Sequence, residues 1–260
     1  MLLAVDIGNT NITIGLFVGD QLKATWRIST DSRRTSDEYG LLVTQMIISS
    51  GLNPMDIKNI CMCSVVPPLT PTFQDLCNKY FETPPLTVGG GTKTGIKITY
   101  DSPRDVGTDR IIDAAAAITI YGGPIIVVDL GTAIVFDAIT AEGEYLGGAI
   151  APGMGVSGDA LFRSTSQLRR VELIPPSTSI GRNTQHSIQS GLVLGYSELI
   201  KGMIRRFKTE LGEHSNVIAT GGMAEVLSSQ TEVFDVVNLN LTLFGLKLIY
   251  ELNRGQCDGS

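Results

Sequence analysis

Two stretches of the chain share one order of apolar and polar positions. Residues 2–17 and 124–139 each contain an apolar run, then Asp-x-Gly, then a threonine, then a second run in which apolar and polar positions alternate. Alternation with a period of two predicts a strand, and a glycine-containing tip between two strands predicts a β-hairpin. Asp6 and Asp129 open the two tips. Because the copies lie about half a chain apart, the pattern predicts duplicated halves that face each other.

Helical and strand patterns alternate along the rest of the chain. The first half predicts a helix from the N-cap Ser36 to Gly51, a strand within 57–67, a helix over 70–81, a short strand within 85–90 and an Ala-rich helix from the N-cap Thr108 towards Gly122. The second half predicts a strand within 144–153, a helix over 155–168, a helical stretch over 186–211 that any of several glycines could break, a strand within 216–222 and a helix over 241–254.

These elements indicate an α/β fold built from two halves. No low-complexity linker separates the halves, so we expect them to share an interface with a cleft between them. We place the boundary after residue 115, which gives an N-terminal lobe of residues 1–115 and a C-terminal lobe of residues 116–260.

Composition and charge narrow the class of protein. The chain has 260 residues, of which 43% are hydrophobic and 18% charged, as is usual for globular proteins. Its net charge of −6 disfavours nonspecific binding to nucleic acid. Asp6 interrupts the first apolar run, no basic region precedes that run, and no stretch reaches the ~18 apolar residues of a membrane span. We therefore expect a cytoplasmic protein that binds neither membrane nor nucleic acid.

Cysteine and histidine offer little chemistry of their own. The cysteines lack a C-x-x-C pair and a matching histidine cluster, which disfavours both a zinc site and a disulfide framework; they are Cys61, Cys63, Cys77 and Cys257. The stretch at 89–95 resembles a phosphate-binding Walker A loop, but Thr92 separates its last glycine from Lys93. His214 lies in a polar turn and His186 near a predicted helix start, so a Ser-His-Asp triad has few options.

The two tips have the composition of a phosphate-binding clamp. Gly8 and Gly131 let the backbone approach a ligand closely, and the hydroxyls of Thr10 and Thr132 can donate to phosphate oxygens. A carboxylate beside phosphate repels it unless a cation intervenes, so the two aspartates imply bound cations with oxygen ligands, such as Mg²⁺ or a monovalent ion. A single Asp-Gly tip is often only a turn; the paired copies favour the binding interpretation.

Five motifs in this order resemble type III pantothenate kinase, of the acetate/sugar kinase–Hsp70–actin superfamily. They are Asp6-Ile-Gly-Asn-Thr10, Gly107-Thr-Asp-Arg110, Asp129-Leu-Gly-Thr-Ala133, Gly147-Gly148 through Pro152-Gly153, and Thr220-Gly221-Gly222. The resemblance runs from residue 1 to about 253. It implies two ribonuclease-H-like (actin-like ATPase) lobes and a bacterial cytosolic homodimer. It also implies transfer of the γ-phosphoryl group of ATP to pantothenate, with Mg²⁺ and a monovalent cation, K⁺ or NH₄⁺.

The resemblance assigns roles residue by residue. Its ATP-binding positions are Asp6, Ile7, Gly8, Asn9, Thr10, Asn11, Ile12, Thr13, Gly131, Thr132, Gly221 and Gly222. Its pantothenate-binding positions are Tyr100, Gly107, Thr108, Asp109, Arg110 and Thr184, the last at or near a dimer interface. Asp6 would organise Mg²⁺ through water, Asp129 would bind the monovalent cation, and Asp109 would be the catalytic base. The chain departs from the family at Asn238 and Asn240, where we expect Asp-Pro, and this bears on local capping.

The physics of the residues leaves several alternatives open. The helix dipole favours a carboxylate in the first turn, so Asp109 could be there for stability alone. An Arg fork suits the carboxylate of pantothenate, yet Arg110 could also be a solvated helix residue. The ring of Tyr100 could simply pack, and Thr184 could be an N-cap.

Two other functions compete with a pantothenate kinase. One is a kinase of the same fold for another small hydroxylated substrate. The other is a nucleotide-binding accessory or regulatory protein, which would bind ATP without turnover and would have no need of Asp109.

Overall fold

The computed structural model describes the backbone of residues 1–257 and the side chains of residues 1–255, so the side chain of Cys257 lies outside the described residues. The strands are β1 (Leu2–Ile7), β2 (Asn11–Val18), β3 (Gln21–Ser29), β4 (Asn59–Ser64), β5 (Leu86–Thr87), β6 (Lys97–Ile98), β7 (Ile125–Leu130), β8 (Ala133–Ile139), β9 (Glu144–Pro152), β10 (Asn216–Thr220) and β11 (Val236–Val237). The helices are α1 (Ser36–Ser49), α2 (Leu69–Phe81), α3 (Thr108–Tyr121), α4 (Met154–Ser164), α5 (Thr184–Gln189), α6 (Gly195–Leu211), α7 (Ala224–Ser228) and α8 (Leu241–Cys257).

The chain divides into two compact units. Lobe 1 comprises Met1–Gly95, Ser102–Ala116 and the chain from Thr242 onward. Lobe 2 comprises Ile96–Asp101 and Ala117–Leu241. Within the described part of the chain, no helix combines the length and the apolar character needed to cross a membrane.

Lobe 1 is built on a five-stranded sheet of order β3-β2-β1-β4-β5. The first three strands form an antiparallel meander, and β4 and β5 continue in parallel with β1. The period of two along β1 turns Leu3, Val5 and Ile7 towards a core that also buries Tyr39 of α1 and Phe73 of α2. Leu2 and Ala4 point to the other face, and Asp6 follows them in the same alternation.

Lobe 2 repeats this arrangement. Its six-stranded sheet has the order β11-β10-β7-β8-β9-β6. Read from β9 to β11, five of these strands reproduce the order and directions of lobe 1, with β7 in the place of β1 and β10 in the place of β4. The extra strand β6 lies parallel to β9 at the sheet edge. Both ribonuclease-H-like lobes of the predicted α/β fold are therefore present, and the duplicated hairpins are β1–β2 and β7–β8.

The grouping of the last helix differs from the division we expected after residue 115. Leu243, Leu246 and Ile249 of α8 are buried with Leu2 and Phe17 of the first sheet. At Gly245, a Cβ would overlap the carbonyl oxygen of Ile112 in α3. The apolar face of α8 therefore covers the lobe 1 sheet, although its sequence follows the second half.

Three local predictions need correction. The N-cap of α1 is Thr35, not Ser36, and it forms a capping box in which the Thr35 side chain accepts from Glu38 N and Glu38 accepts from Thr35 N. Helix α3 includes Thr108 itself, and the Gly107 carbonyl accepts from Ile111 N (3.3 Å), so Gly107 holds the capping position. The stretch 186–211 is not broken at a glycine: a π-helical turn over 190–194 joins α5 to α6.

Candidate active site

The first tip lies between β1 and β2 and is anchored to the end of β3. Gly8 N donates to Asn11 O (3.1 Å), which closes the turn. Thr30 donates from its hydroxyl to Gly8 O (2.6 Å) and from its backbone N to Thr10 O (3.0 Å). Asn9 and Thr10 are exposed, so a ligand can reach them from solvent.

The side chains of two predicted ATP-binding residues at this tip are inaccessible to a ligand. Ile7 and Ile12 are fully buried in the lobe 1 core. Any contact they make with a nucleotide therefore comes from their backbone, and their side chains instead hold the hairpin to the core.

A polar row crosses the sheet beneath the first tip. The strand register aligns Cys63 of β4 with Asp6 of β1, Asp6 with Thr13 of β2, and Thr13 with Arg27 of β3. Residues paired in register share one face of a sheet, so the four side chains lie on the face of Asp6. Cys63 Sγ donates to Asp6 Oδ1 at 3.2 Å. Cys63 is buried and Arg27 is exposed, so the row runs from the core to solvent.

Within lobe 1, Asp109 lies close enough to Asp6 for its charge to act on the Asp6 carboxyl. Helix α3 packs on the Asp6 face through Ile112, and Asp109 occupies its first turn. Burial raises the pKa of Asp6 to about 6; the Cys63 hydrogen bond lowers it, the negative charge of Asp109 raises it and the charge of Arg27 lowers it. Two neighbouring carboxylates, one of them desolvated, are a site that a cation stabilises.

Backbone contacts hold the Asp109 side chain in place. Asp109 Oδ1 accepts from Arg110 N at 2.9 Å. A Cβ at Gly107 would overlap the same carboxylate oxygen, so only glycine allows this close approach. Gly107, Thr108, Asp109 and Arg110 are all half-buried. The structure thus brings the predicted pantothenate strip next to the predicted metal-organising carboxylate.

The second tip, between β7 and β8, is closed by the same type of bond. Gly131 N donates to Ala133 O (3.0 Å), and Gly153 N donates to Thr132 O (2.9 Å). A Cβ at Gly153 would overlap the carbonyl oxygens of Gly131 and Thr132. The end of β9 therefore packs directly on the backbone of the tip. The Thr132 side chain is exposed.

A glycine turn packs against the Asp129 carboxylate. Gly221 has a φ of +91°, and a Cβ there would overlap Asp129 Oδ1 and lie 2.7 Å from Leu130 N. Met223 N donates to Leu130 O at 3.0 Å, which ties this turn to the end of β7. Asp129, Gly131, Thr132, Gly221 and the exposed Gly222 are thus brought together within lobe 2.

Tyr100 and Thr184 occupy two other parts of lobe 2. Tyr100 follows β6 and lies against β9, where its half-buried ring packs near Tyr145. Thr184 is exposed and borders a pocket of about 430 Å³ that Leu161, Leu168 and Ile188 also line. The alternative role of Thr184 as an N-cap is wrong, because Asn183 caps α5 by accepting from His186 N at 2.9 Å.

The start of α8 is capped although Asn238 and Asn240 stand where the family pattern predicts Asp-Pro. Asn238 Oδ1 accepts from Asn240 N at 3.0 Å, and Leu241 N donates to Asn238 O at 3.4 Å. Asn238 Nδ2 also donates to the Tyr121 hydroxyl at 2.9 Å. Asn238 therefore provides the local hydrogen bonds itself.

The donor set fits Mg²⁺ held together with a nucleotide. Among the described residues, no group of three or more His, Cys, Asp or Glu side chains could hold a metal by itself. Mg²⁺ usually takes one or two carboxylates, several waters and substrate phosphates, which is what Asp6 beside the predicted phosphate-binding turn would offer.

Sequence reasoning misses three residues of these sites. Cys63 enters it only as one of four cysteines that offer neither a zinc site nor a disulfide framework, Arg27 is not singled out, and Gly153 belongs to a motif without a role of its own. Their positions depend on strand register and on the packing of β9, and neither can be read from spacing along the chain.

Sequence comparison identifies close relatives over nearly the whole chain. The family model of type III pantothenate kinase matches residues 2–206. A type III pantothenate kinase of Roseiflexus castenholzii is 50% identical over 254 residues, covering 98% of this chain and 100% of the relative. One of Dehalococcoides mccartyi is 46% identical over 253 residues, covering 97% of this chain and 96% of the relative.

Solved structures of more distant proteins share the fold. A Campylobacter jejuni protein described as a conserved Baf family transcriptional activator matches with a TM-score of 0.61 and 21% identity, covering 97% of this chain and 99% of that one. The ethanolamine utilization protein EutJ of Carboxydothermus hydrogenoformans matches with a TM-score of 0.55 and 15% identity, covering 95% and 89%. At these identities the likeness concerns the fold alone.

Proposed function

The chain belongs to the type III pantothenate kinase family, and from this premise we propose that it transfers the γ-phosphoryl group of ATP to the primary hydroxyl of pantothenate. The product is 4′-phosphopantothenate, and the reaction is the first step of coenzyme A biosynthesis. The predicted family is confirmed by the family model and by relatives that match over 96–100% of their length.

The observation that carries the proposal is the pair of carboxylates beside the first tip. Phosphoryl transfer passes through a loose transition state, so positioning and charge neutralisation contribute most of the catalysis. Asp109, held by Arg110 N, orients the pantothenate hydroxyl and accepts its proton late in the transfer. Asp6 would organise Mg²⁺ through water, and the ion would supply charge neutralisation at the phosphates of ATP.

Phosphate binding is proposed for the backbone and hydroxyls of both tips. At the first tip, the exposed Asn9, Thr10 and Asn11 donate to phosphate oxygens. At the second tip, Gly131 and Thr132 do so, and Asp129 binds the monovalent cation, K⁺ or NH₄⁺. Gly221 and Gly222 accept the nucleoside, because a glycine turn lets the backbone approach a ligand closely.

Pantothenate recognition is proposed for the strip that ends in Arg110. Arg110 holds the substrate carboxylate through a bidentate pair while Asp109 meets the hydroxyl at the other end. Gly107 and Thr108 contribute backbone and hydroxyl contacts, and Tyr100 and Thr184 further contacts. A homodimer is supported by exposed apolar side chains in lobe 2, namely Leu161, Phe162, Ile174 and Ile180, of which Leu161 borders the same pocket as Thr184. We place the enzyme in the cytoplasm, where ATP and pantothenate are available.

The test is product analysis with the full chain. With Mg·ATP and K⁺, pantothenate should yield 4′-phosphopantothenate by mass spectrometry and ADP in equal amount. A sample without pantothenate and a panel of other small alcohols and sugars are the controls. ATP binding without any ADP release would favour the accessory-protein function instead. Release of ADP with another alcohol but not with pantothenate would favour the other-substrate kinase.

A further inference from the structure

Tyr100 is held at the edge of the lobe 2 sheet by a very short strand. Strand β6 has two residues, which pair in parallel with Glu144 and Tyr145 of β9. Thr99 then donates twice to Tyr145 O, from its backbone N at 3.0 Å and from Oγ1 at 2.8 Å. Because Tyr100 is the next residue, the position of its backbone depends on that of Tyr145.

Strand β9 is irregular directly after Tyr145. Its pairing with β8 passes from Tyr145 to Gly147 and skips Leu146, which is a β-bulge. Bulges redirect neighbouring side chains and are common next to active sites. Gly147 has a φ of +127°, and a Cβ there would lie 3.0 Å from Cε2 and 3.1 Å from Cδ2 of Tyr100. The backbone of Gly147, which has no side chain, therefore forms one side of the site in which the Tyr100 ring packs; we call this site the seat of Tyr100.

Tyr145 forms a second side of that seat. Its ring is fully buried and lies 6.4 Å from the Tyr100 ring, centroid to centroid, at an angle of 57°. Its hydroxyl donates to Asp137 Oδ1 at 2.7 Å. Asp137 is buried on β8, and its register partner is Gly148, where a Cβ would lie 2.9 Å from the same oxygen. The hydrogen bond to a buried carboxylate holds the Tyr145 ring in one orientation.

Neither Asp137 nor Tyr145 has a part in the phosphoryl transfer proposed above. A two-residue edge strand has few hydrogen bonds of its own, and such elements fray unless something supports them. We infer that Tyr145, oriented by Asp137, is a positioning residue that fixes the ring and hydroxyl of Tyr100 for contact with pantothenate. The inference rests on the proposed function, and it assigns neither Tyr145 nor Asp137 any contact with the substrate itself.

Tyr145→Phe tests the inference because it keeps the ring and removes only the hydroxyl. In the full-length enzyme, KM for pantothenate should rise by about three- to tenfold while KM for ATP stays within about twofold. The matched control is Tyr250→Phe, which removes a phenol hydroxyl bonded to Asn59 Oδ1 (2.6 Å) in lobe 1. This control should leave both KM values unchanged. Equal increases in both KM values for Tyr145→Phe would mean a merely structural role and would overturn the inference.

A double-mutant cycle separates positioning from general damage. Tyr100→Ala should itself raise KM for pantothenate, and adding Tyr145→Phe should then raise it no further, because Tyr145 acts through Tyr100. Additive effects of the two substitutions would contradict the inference. Thermal unfolding of each variant shows whether any change in KM accompanies loss of stability.

Gly147→Ala is the second variant and perturbs the seat from its other side. Its Cβ would push against the Tyr100 ring edge and would also strain the backbone at φ +127°, so a rise in KM for pantothenate is expected together with some loss of stability. If the wild type phosphorylates pantothenate but both Tyr145→Phe and Gly147→Ala leave its KM unchanged, the inference alone fails. If the wild type does not phosphorylate pantothenate, the proposed function fails, and the inference falls with it.

Discussion

The first and second tips use the same frame to hold their aspartates in different surroundings. Each aspartate is the second-last residue of a central strand, and each tip is closed by a glycine N–H bonded across the turn. Asp6 is aligned with Cys63 on the neighbouring parallel strand, whereas Asp129 is aligned with Thr220. The difference between the tips therefore arises from the neighbouring strand and from the elements that cover the sheet, and not from the hairpin itself.

The chemistry of the covering elements differs accordingly. The first tip has a second carboxylate, Asp109, on helix α3, together with the thiol of Cys63 at 3.2 Å from Asp6. The second tip has a glycine turn, in which Gly221 packs against Asp129. A pair of carboxylates suits a divalent cation and proton transfer, while a turn without side chains suits a nucleoside. We propose that both copies of this duplicated unit bind phosphate, and that the copy in lobe 1 also carries the groups for proton transfer.

Removing the carboxylate of Asp109, beside the first tip, should have the largest effect on the reaction rate. Asp109→Asn keeps the size of the side chain but cannot accept the hydroxyl proton, so kcat should fall by ~10²–10⁴ with a modest change in KM for ATP. Steady-state kinetics with pantothenate and ATP varied separately would measure this. Asp105→Asn, at an exposed carboxylate four positions earlier, is the matched control and should be near wild type. Near-wild-type turnover of Asp109→Asn would remove Asp109 from the mechanism.

A smaller effect is expected on the stability of the metal-free protein. Burial and Asp109 raise the pKa of Asp6 from 3.8 to about 6, so the folded state holds this proton more tightly than the unfolded chain does. The stabilisation from this proton is complete below about pH 4 and is lost as the pH rises through about 6. The free energy of unfolding should therefore fall by about 2 kcal/mol from this group over that range.

The measurement is denaturant unfolding in EDTA from pH 4 to pH 8, for the wild type and for Asp6→Asn. The asparagine side chain does not titrate, so the difference between the two stability profiles should change with pH in this window. Carboxylates that do not interact with Asp6 titrate equally in both proteins and cancel from the difference. The contribution of Asp109, whose charge acts on Asp6, remains in it. If the free energies of unfolding of the two proteins ran parallel with pH, Asp6 would titrate as an ordinary carboxyl. The raised pKa of Asp6 could then no longer support the proposed contrast between the tips.

The hairpins and most helices could be predicted because their signals are local. Alternating apolar positions and Asp-x-Gly tips located β1–β2 and β7–β8, and their repetition indicated two lobes. The two-residue strand β6 was missed, because its existence depends on pairing with β9 some 46 residues later along the chain. The last helix was grouped with the wrong half for a related reason: its apolar face matches a sheet that is distant in sequence.

For the candidate site, too, the sequence predicts the motif residues but not the neighbours that strand pairing brings to them. The motif residues Asp6, Asp109 and Asp129 could be found from spacing and resemblance. The approach of Cys63 and Arg27 to Asp6 depends on the register of four strands, which no local pattern specifies. Likewise, the packing of Gly221 on Asp129 depends on a parallel pairing between β7 and β10.

The division of roles between the tips is tested most directly by the response of the reaction rate to monovalent cations. We would measure pantothenate-dependent ADP release from Mg·ATP in K⁺ and in Na⁺, for the wild type, Asp129→Ala and the control Asp159→Ala, a lobe 2 carboxylate on α4. We expect K⁺ to raise the rate of the wild type and of Asp159→Ala, and we expect no such response from Asp129→Ala. A K⁺ response of Asp129→Ala equal to that of the wild type would contradict it.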